Sequence, residues 1–293
     1  MTGDKGTRLF VKVTRETLPQ VKDKYPFLYL ERGRLEIDDS SVKWIDADAH
    51  VVPIPVATVN TLLLGPGSVV THDAVKTATA ANCAICWVGE DTLLFYAAGF
   101  APTADSRNLK KQVELSADKK KREEVARRMF ARRFPEADLA GKSLKEMMGM
   151  EGHRVRAHYG ELAEEYGLVW KGRSFTPGKF ELSDVTNQIL TACNAALYGI
   201  ICSAVHSMGF SPHIGFIHSG SPLPFVYDLA DLYKEELCVD LAFYLTRELG
   251  GRYDKARVSS EFRSRVIESD LLERVAVDIP SLLGIRDARR RSK

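Results

Sequence analysis

One imidazole and two carboxylates lie within fourteen residues of each other: His218, Asp228 and Asp231, in GFSPHIGFIHSGSPLPFVYDLADLYK (residues 209–234). On a helix, Asp228 and Asp231 at i and i+3 share one flank. An N/O set of this kind binds a hard or borderline divalent cation. The ordinary alternatives are a solvated Asp pair and a packed His. A fourth group, Glu151, stands in a periodic stripe of Leu144, Met148, Glu151, Val155, Tyr159, Leu162 and Tyr166, flanked by Gly149 and Gly152. A carboxylate in an apolar seam needs a cation, a proton or a hydrogen-bond donor. Its partner is either a nearby guanidinium, Arg154 or Arg156, or a metal shared with His218 and Asp231.

The elements that must position these groups follow from local signals. Gly209 makes a turn, residues 214–217 read as a short strand, and His218 sits on the Ser219-Gly220-Ser221 loop. Pro222 and Pro224 then open a helix, as proline may in a first turn. Its apolar face is Phe225, Val226, Leu229, Leu232 and Tyr233. The Glu151 helix starts at a capping box, Ser143-x-x-Glu146, and ends at Gly167. Ser183 or Asp184 caps a helix running to Ser207 that is apolar nearly all round, the mark of a core element. Asn187 and Asn194 on it are expected to fasten a neighbouring loop. Residues 239–249 form another helix, followed by mixed helical sequence to about 283.

The first hundred residues have a different texture. FLYLE, RLEID and VKWI, then residues 51–55 and 60–64, read as short strands, with turns at Arg32-Gly33, Asp39-Ser40-Ser41 and Gly65-Pro66-Gly67. Thr71 caps a short helix, and ICWVG and TLLFYAA are two more strands. His50 and His72 read as isolated. Cys83-x-x-Cys86 lies in the apolar run NCAICWVG with no second pair at zinc-site spacing, so it reads as buried strand packing. The chain is thus expected to be an α+β protein. A small N-terminal β-sheet domain (1–98) leads through a Gly/Pro linker (99–106) to a larger all-helical catalytic domain (107–283) and a basic flexible tail (284–293).

The composition, 45% hydrophobic and 27% charged, is that of a globular chain and excludes wholesale disorder. The polar start and the absence of an eighteen-residue apolar run suggest neither secretion nor membrane insertion, and a cytoplasmic protein is expected. Net charge is +2, divided unevenly: residues 1–98 carry 10 Lys/Arg against 12 Asp/Glu, and the remainder 31 against 27. Residues 119–133 hold eight bases and two acids, either a solvated helix face or a surface that tracks phosphates.

Several segments together resemble a known family, the CRISPR-associated integrase that captures new spacers, in its type I-E subtype. They are FLYLERGRLE, LLLGPGSVVTHDAV, WVGE, RRFP, GMEGHRVRAHY, DVTNQILTACNAALYG, GFSPHIGFIHSG and FVYDLADLYK, in family order over most of residues 27–234. The resemblance implies a metal-dependent DNA integrase and endonuclease, a homodimer, and a small ferredoxin-like CRISPR-associated companion that bridges two dimers around double-stranded DNA. It implies Glu151, His218 and Asp231 as ligands of Mg2+ or Mn2+ and Asp228 as a supporting acid, with Tyr227 and Lys234 in the same motif. Basic residues Arg107, Lys110, Lys111, Arg154 and Arg156 are expected at DNA phosphates. Relatives separate duplex ends at the sheet carrying Tyr29 and Arg32. Two departures stand out: Phe175 replaces the usual Tyr, and SGSPLPF is proline-rich where relatives carry polar loops. The competing readings are a non-catalytic DNA-binding scaffold and a general nuclease on branched DNA.

Overall fold

In the computed structural model the described residues are 18–38, 41–89, 95–99, 106–174 and 180–285. The polar start, the turn at residues 39–40, the linker at 100–105, Phe175 and the basic tail from 286 lie outside them.

Among the described residues, eight strands form two four-stranded sheets. The first has the order β1 (Tyr25–Leu30), β5 (Val59–Leu64), β7 (Ala84–Val88), β8 (Phe95–Gly99). Strands β1, β5 and β7 run parallel, with Phe27 opposite Thr61 and Leu63 opposite Cys86, and β8 is antiparallel. The second has the order β4 (Val51–Pro53), β3 (Ser41–Asp46), β2 (Gly33–Asp38), β6 (Ser68–Val70). Every residue of β5 is buried, as expected for a central parallel strand covered on both faces.

The two-residue period of the strands divides two cores. Leu62, Leu64 and Ile85 face Leu35, Trp44 and helix α1 (His72–Ala80), whose N-cap is Thr71 as the sequence suggests. Phe27, Leu63 and Cys86 face the opposite way, into the helical core. The CxxC run is therefore packing, and Cys83 and Cys86 are buried free thiols.

The helices are α2 (Arg107–Ala117), α3 (Lys119–Arg133), α4 (Leu144–Tyr166), α5 (Val185–Ser207), α6 (Pro224–Ala230), α7 (Asp240–Glu248), α8 (Lys255–Glu268) and α9 (Leu271–Leu283). Helix α5 is buried along almost its whole length and organises the core. It is long and apolar enough to cross a membrane, yet 83% of its most apolar window is buried inside the protein. Asn187 fastens the segment before it, accepting from Ser174 N at 3.0 Å and donating to Gly172 O at 3.1 Å. Sheet and helices are joined: Asn60 Nδ2 donates to Ser203 Oγ at 3.1 Å, Lys255 pairs with Glu31 at 2.7 Å, and the Phe27 and Phe262 rings meet at a tilt with centroids 6.1 Å apart.

Three sequence expectations are corrected. Residues 214–217 form no strand, because their amides point inward to a carboxylate rather than into a ladder. On α4 the inward methionine is Met147, 1% exposed, while Met148 is 43% exposed; one residue, about 100° around the helix, separates them. His50 is exposed but not isolated, since its Nδ1 meets Asp46 at 3.0 Å.

Candidate active site

Asp228 is the anchor of the site. Helix α6 places it fully buried, where its carboxylate accepts from four donors. Oδ2 takes the amides of Phe216 (2.6 Å) and Ile217 (3.1 Å); Oδ1 takes the amide of His218 and its Nδ1, both at 2.8 Å. A buried carboxylate persists only when so satisfied. Gly215 permits the close approach: a Cβ there would meet Pro224 Cβ at 2.8 Å, His218 O at 2.9 Å and Asp228 Oδ2 at 3.0 Å.

This arrangement fixes the imidazole. With Nδ1–H donated to Asp228, the lone pair is on Nε2, which faces Asp231 Oδ2 at 3.8 Å. A carboxylate behind a histidine that presents its other nitrogen is the usual support for a metal-ligating imidazole. The bond to Asp228, opposed by burial, raises the His218 pKa above its ordinary value. Asp231 ends α6 and turns its Oδ1 to Lys234 Nζ at 2.6 Å. Burial pushes the Asp231 carboxyl up, but Lys234 and Arg133 more than offset it, and its pKa lies below the ordinary value. Lys234 also lies over the Tyr198 ring, which packs edge-on against Tyr227; Tyr227 in turn packs edge-on against His218.

Glu151 enters from α4. Burial raises its pKa, against the attraction of Arg133. Its partner is Arg133, the last residue of α3, and not Arg154 or Arg156, which are exposed. Arg133 is 9% exposed and also reaches Glu235 Oε1 at 3.2 Å and Asp231 Oδ2 at 4.0 Å. Its guanidinium lies against two of the three expected ligands, Glu151 and Asp231. Glu151, His218 and Asp231 do not all bring ligand atoms within 4.8 Å of one another, as half-buried Asp46 and exposed Asp48 and His50 do. The donor types fit a divalent ion nonetheless: two carboxylates and one imidazole of fixed tautomer, with Lys234 limiting the charge on Asp231.

The remaining expected DNA contacts lie outside this cluster. Arg107 and Lys110 are exposed on α2, and Lys111 pairs with Glu114 at 3.0 Å. Arg154 lies over the Phe134 ring at 4.8 Å, while Arg156 extends past Gly152. Tyr29 donates to Glu31 at 2.6 Å and lies beneath Lys255. Sequence reasoning missed Arg133 and Glu235. Arg133 had a signal: Ala126, Met129, Phe130 and Arg133 continue one buried face, placing a cation where a core side chain is expected. Glu235 had none, because a π-helical turn (Glu235–Val239) shifts the register after Lys234.

A buried acid–imidazole cluster at the ends of helices, beside the sheets, has the donor types of a divalent-ion site. A profile described as "CRISPR associated protein Cas1" matches residues 130–257. The chain is 64% identical over 284 residues to CRISPR-associated endonuclease Cas1 2 of Chlorobaculum tepidum, covering 96% of each. Among solved structures, TtCas1 superposes with a TM-score of 0.80 at 34% identity, covering 89% of this chain and 98% of that one. A TtCas1–DNA complex gives 0.67 at 37% identity, covering 91% and 99%. The chain belongs to the Cas1 family of CRISPR-associated endonucleases.

Proposed function

We propose that this protein is a Mg2+- or Mn2+-dependent DNA integrase and endonuclease of spacer acquisition, in the type I-E subtype. Its reaction joins a protospacer 3′-OH to a phosphodiester at the leader–repeat junction of a CRISPR array. The 3′ oxygen bonds to phosphorus, the bond to the array strand's own 3′ oxygen breaks, and the attacking hydroxyl's proton passes to solvent. Water in place of the hydroxyl gives hydrolysis.

The observation that carries this reading is the tautomer lock, Asp228 on His218 Nδ1 with Nε2 toward Asp231. Glu151, His218 and Asp231 would hold the ion, which supplies a more acidic hydroxyl and a counter-charge for the phosphate. The chain's own groups do the rest. Asp228 orients the imidazole and rigidifies residues 216–218. Lys234 holds Asp231 ionised, and Tyr227 with Tyr198 walls one side of the histidine. Arg107, Lys110, Lys111, Arg154 and Arg156 would contact backbone phosphates without reading bases.

The family's nuclease chemistry depends on metal, and one relative is known in complex with DNA; both support duplex DNA as substrate. A homodimer, the ferredoxin-like companion, a cytoplasmic setting and the division at residues 98 and 107 belong to the same proposal, as the resemblance implies. The scaffold reading draws on one observation, the Glu151–Arg133 pair.

Strand transfer separates the two readings. A 3′-OH duplex is offered to a supercoiled plasmid bearing a leader–repeat, with companion protein and Mn2+ or Mg2+. Product from wild type and none from His218→Ala, with DNA binding retained, is expected. Equal product from both would remove His218 from the chemistry, and no product from either would leave the scaffold.

A further inference from the structure

The geometry points to Arg133 as a built-in competitor for the metal, with Glu235 as the group that receives it on release. This inference rests on the metal site proposed above. One guanidinium serves three carboxylates: NH1 is bonded to Glu151 and lies 4.0 Å from Asp231 Oδ2, and NH2 lies 3.2 Å from Glu235 Oε1. Asp231 Oδ2 is also the oxygen that His218 Nε2 faces. Arg133 NH1 therefore lies toward the space on which the three ligands converge, and they cannot close on an ion while it is there. The contact is incomplete as well as obstructive, since Arg133 Nε is buried without an acceptor.

A buried cation cannot simply be left unpaired, so its displacement needs a waiting partner. Glu235 is that partner. It is more exposed than Arg133 (36% against 9%) and already holds NH2. The π-helical turn that begins at Glu235 gives it this position directly after Lys234. When the ligands take an ion, Arg133 keeps its bond to Glu235 and gives up NH1. The metal-free site thus keeps a cation at its carboxylates and stays folded, and metal affinity is set below that of the bare ligands.

The test is Mn2+ binding by isothermal titration calorimetry on the full chain without DNA, for wild type, Arg133→Gln, Glu235→Gln, the double variant and His218→Ala. Circular dichroism melts confirm that each is folded. Arg133→Gln should bind Mn2+ more tightly, by about tenfold, the lower end of what groups around metal ligands contribute. Glu235→Gln should bind more weakly than wild type, and the same change should have no effect once Arg133 is gone. A folded Arg133→Gln that binds as wild type does, or more weakly, overturns the competitor role. An equal effect of Glu235→Gln in both backgrounds overturns the receiving role. His218→Ala separates the premises: if it binds Mn2+ as wild type does, the metal site itself is refuted, and if it alone loses binding, only the Arg133 inference falls.

Discussion

Replacing Asp228 by Asn is nearly isosteric, yet it should silence His218. The carboxylate accepts four hydrogen bonds, two at each oxygen. An amide has one acceptor oxygen. Left on the Phe216 and Ile217 amides, that oxygen puts the NH2 against His218 N and Nδ1. The imidazole must then reverse its tautomer, accepting at Nδ1 and carrying its proton on Nε2, which removes the lone pair that faces Asp231. One backbone amide, that of His218, loses its acceptor in a buried setting, at about 1–3 kcal/mol. Against a total stability of about 5–15 kcal/mol, the variant should stay folded while melting several degrees lower. The wrong tautomer should lower Mn2+ affinity by about 10–100-fold, the usual effect of removing a group behind a ligating histidine. A melt, a Mn2+ titration and strand transfer on one preparation read all three. A folded Asp228→Asn variant with wild-type Mn2+ affinity and wild-type product would refute the tautomer argument. Product lost together with cooperative unfolding would reduce Asp228 to a loop anchor.

Other expectations follow from the same geometry. Gly215→Ala forces a Cβ to within 3.0 Å of Pro224, His218 O and Asp228 Oδ2; it should cost about 1–3 kcal/mol by overpacking, measured in a denaturant melt, and lower strand transfer. Burial holds His206 below its ordinary pKa of 6.5. The unfolded chain then binds the extra proton first, so stability is lost as pH falls below about 6.5, and urea midpoints of His206→Gln should depend less on acid than those of wild type. All five cysteines are buried, with Cys83 pushed up to about 12 by burial; a thiol reagent at neutral pH should label none of them until the protein unfolds.

Much of the site was legible because periodicity carries side-chain direction. The i, i+3 acids after a proline-opened helix, and a glutamate in an apolar seam, pointed to Asp228, Asp231 and Glu151. What periodicity cannot carry is a long-range partner. The arginine nearest in sequence to Glu151 was not the one that binds it, because Arg133 arrives from the end of another helix. The supposed strand at residues 214–217 failed for a related reason: an apolar run cannot disclose that its amides are claimed by a carboxylate twelve residues on. The π-helical turn hid Glu235, since one extra residue per turn breaks the 3.6 register on which helix reading depends.

The arginines of α3 were counted from sequence as free charge, and the structure uses them as ties. Arg122 donates to Phe216 O beside the His218 loop at 2.8 Å, Arg127 to Leu139 O and to Lys142 O ahead of α4, Arg128 to Leu282 O at the end of α9, and Arg132 to Asp278 on α9. With Arg133 at the carboxylates, five guanidiniums from one helix pull together the loop of His218, the approach to Glu151 and the last helix of the fold. Binding to a polyanion draws its salt dependence from counterions that the protein's cations release from the phosphates, at about −0.9 in log–log slope per contact. Charge committed to carbonyls inside the protein is not offered in full to DNA. The basic helix should therefore act less as a landing strip than as the tension member of the helical half, and severing its arginines should loosen the proposed active site before it weakens the grip on DNA.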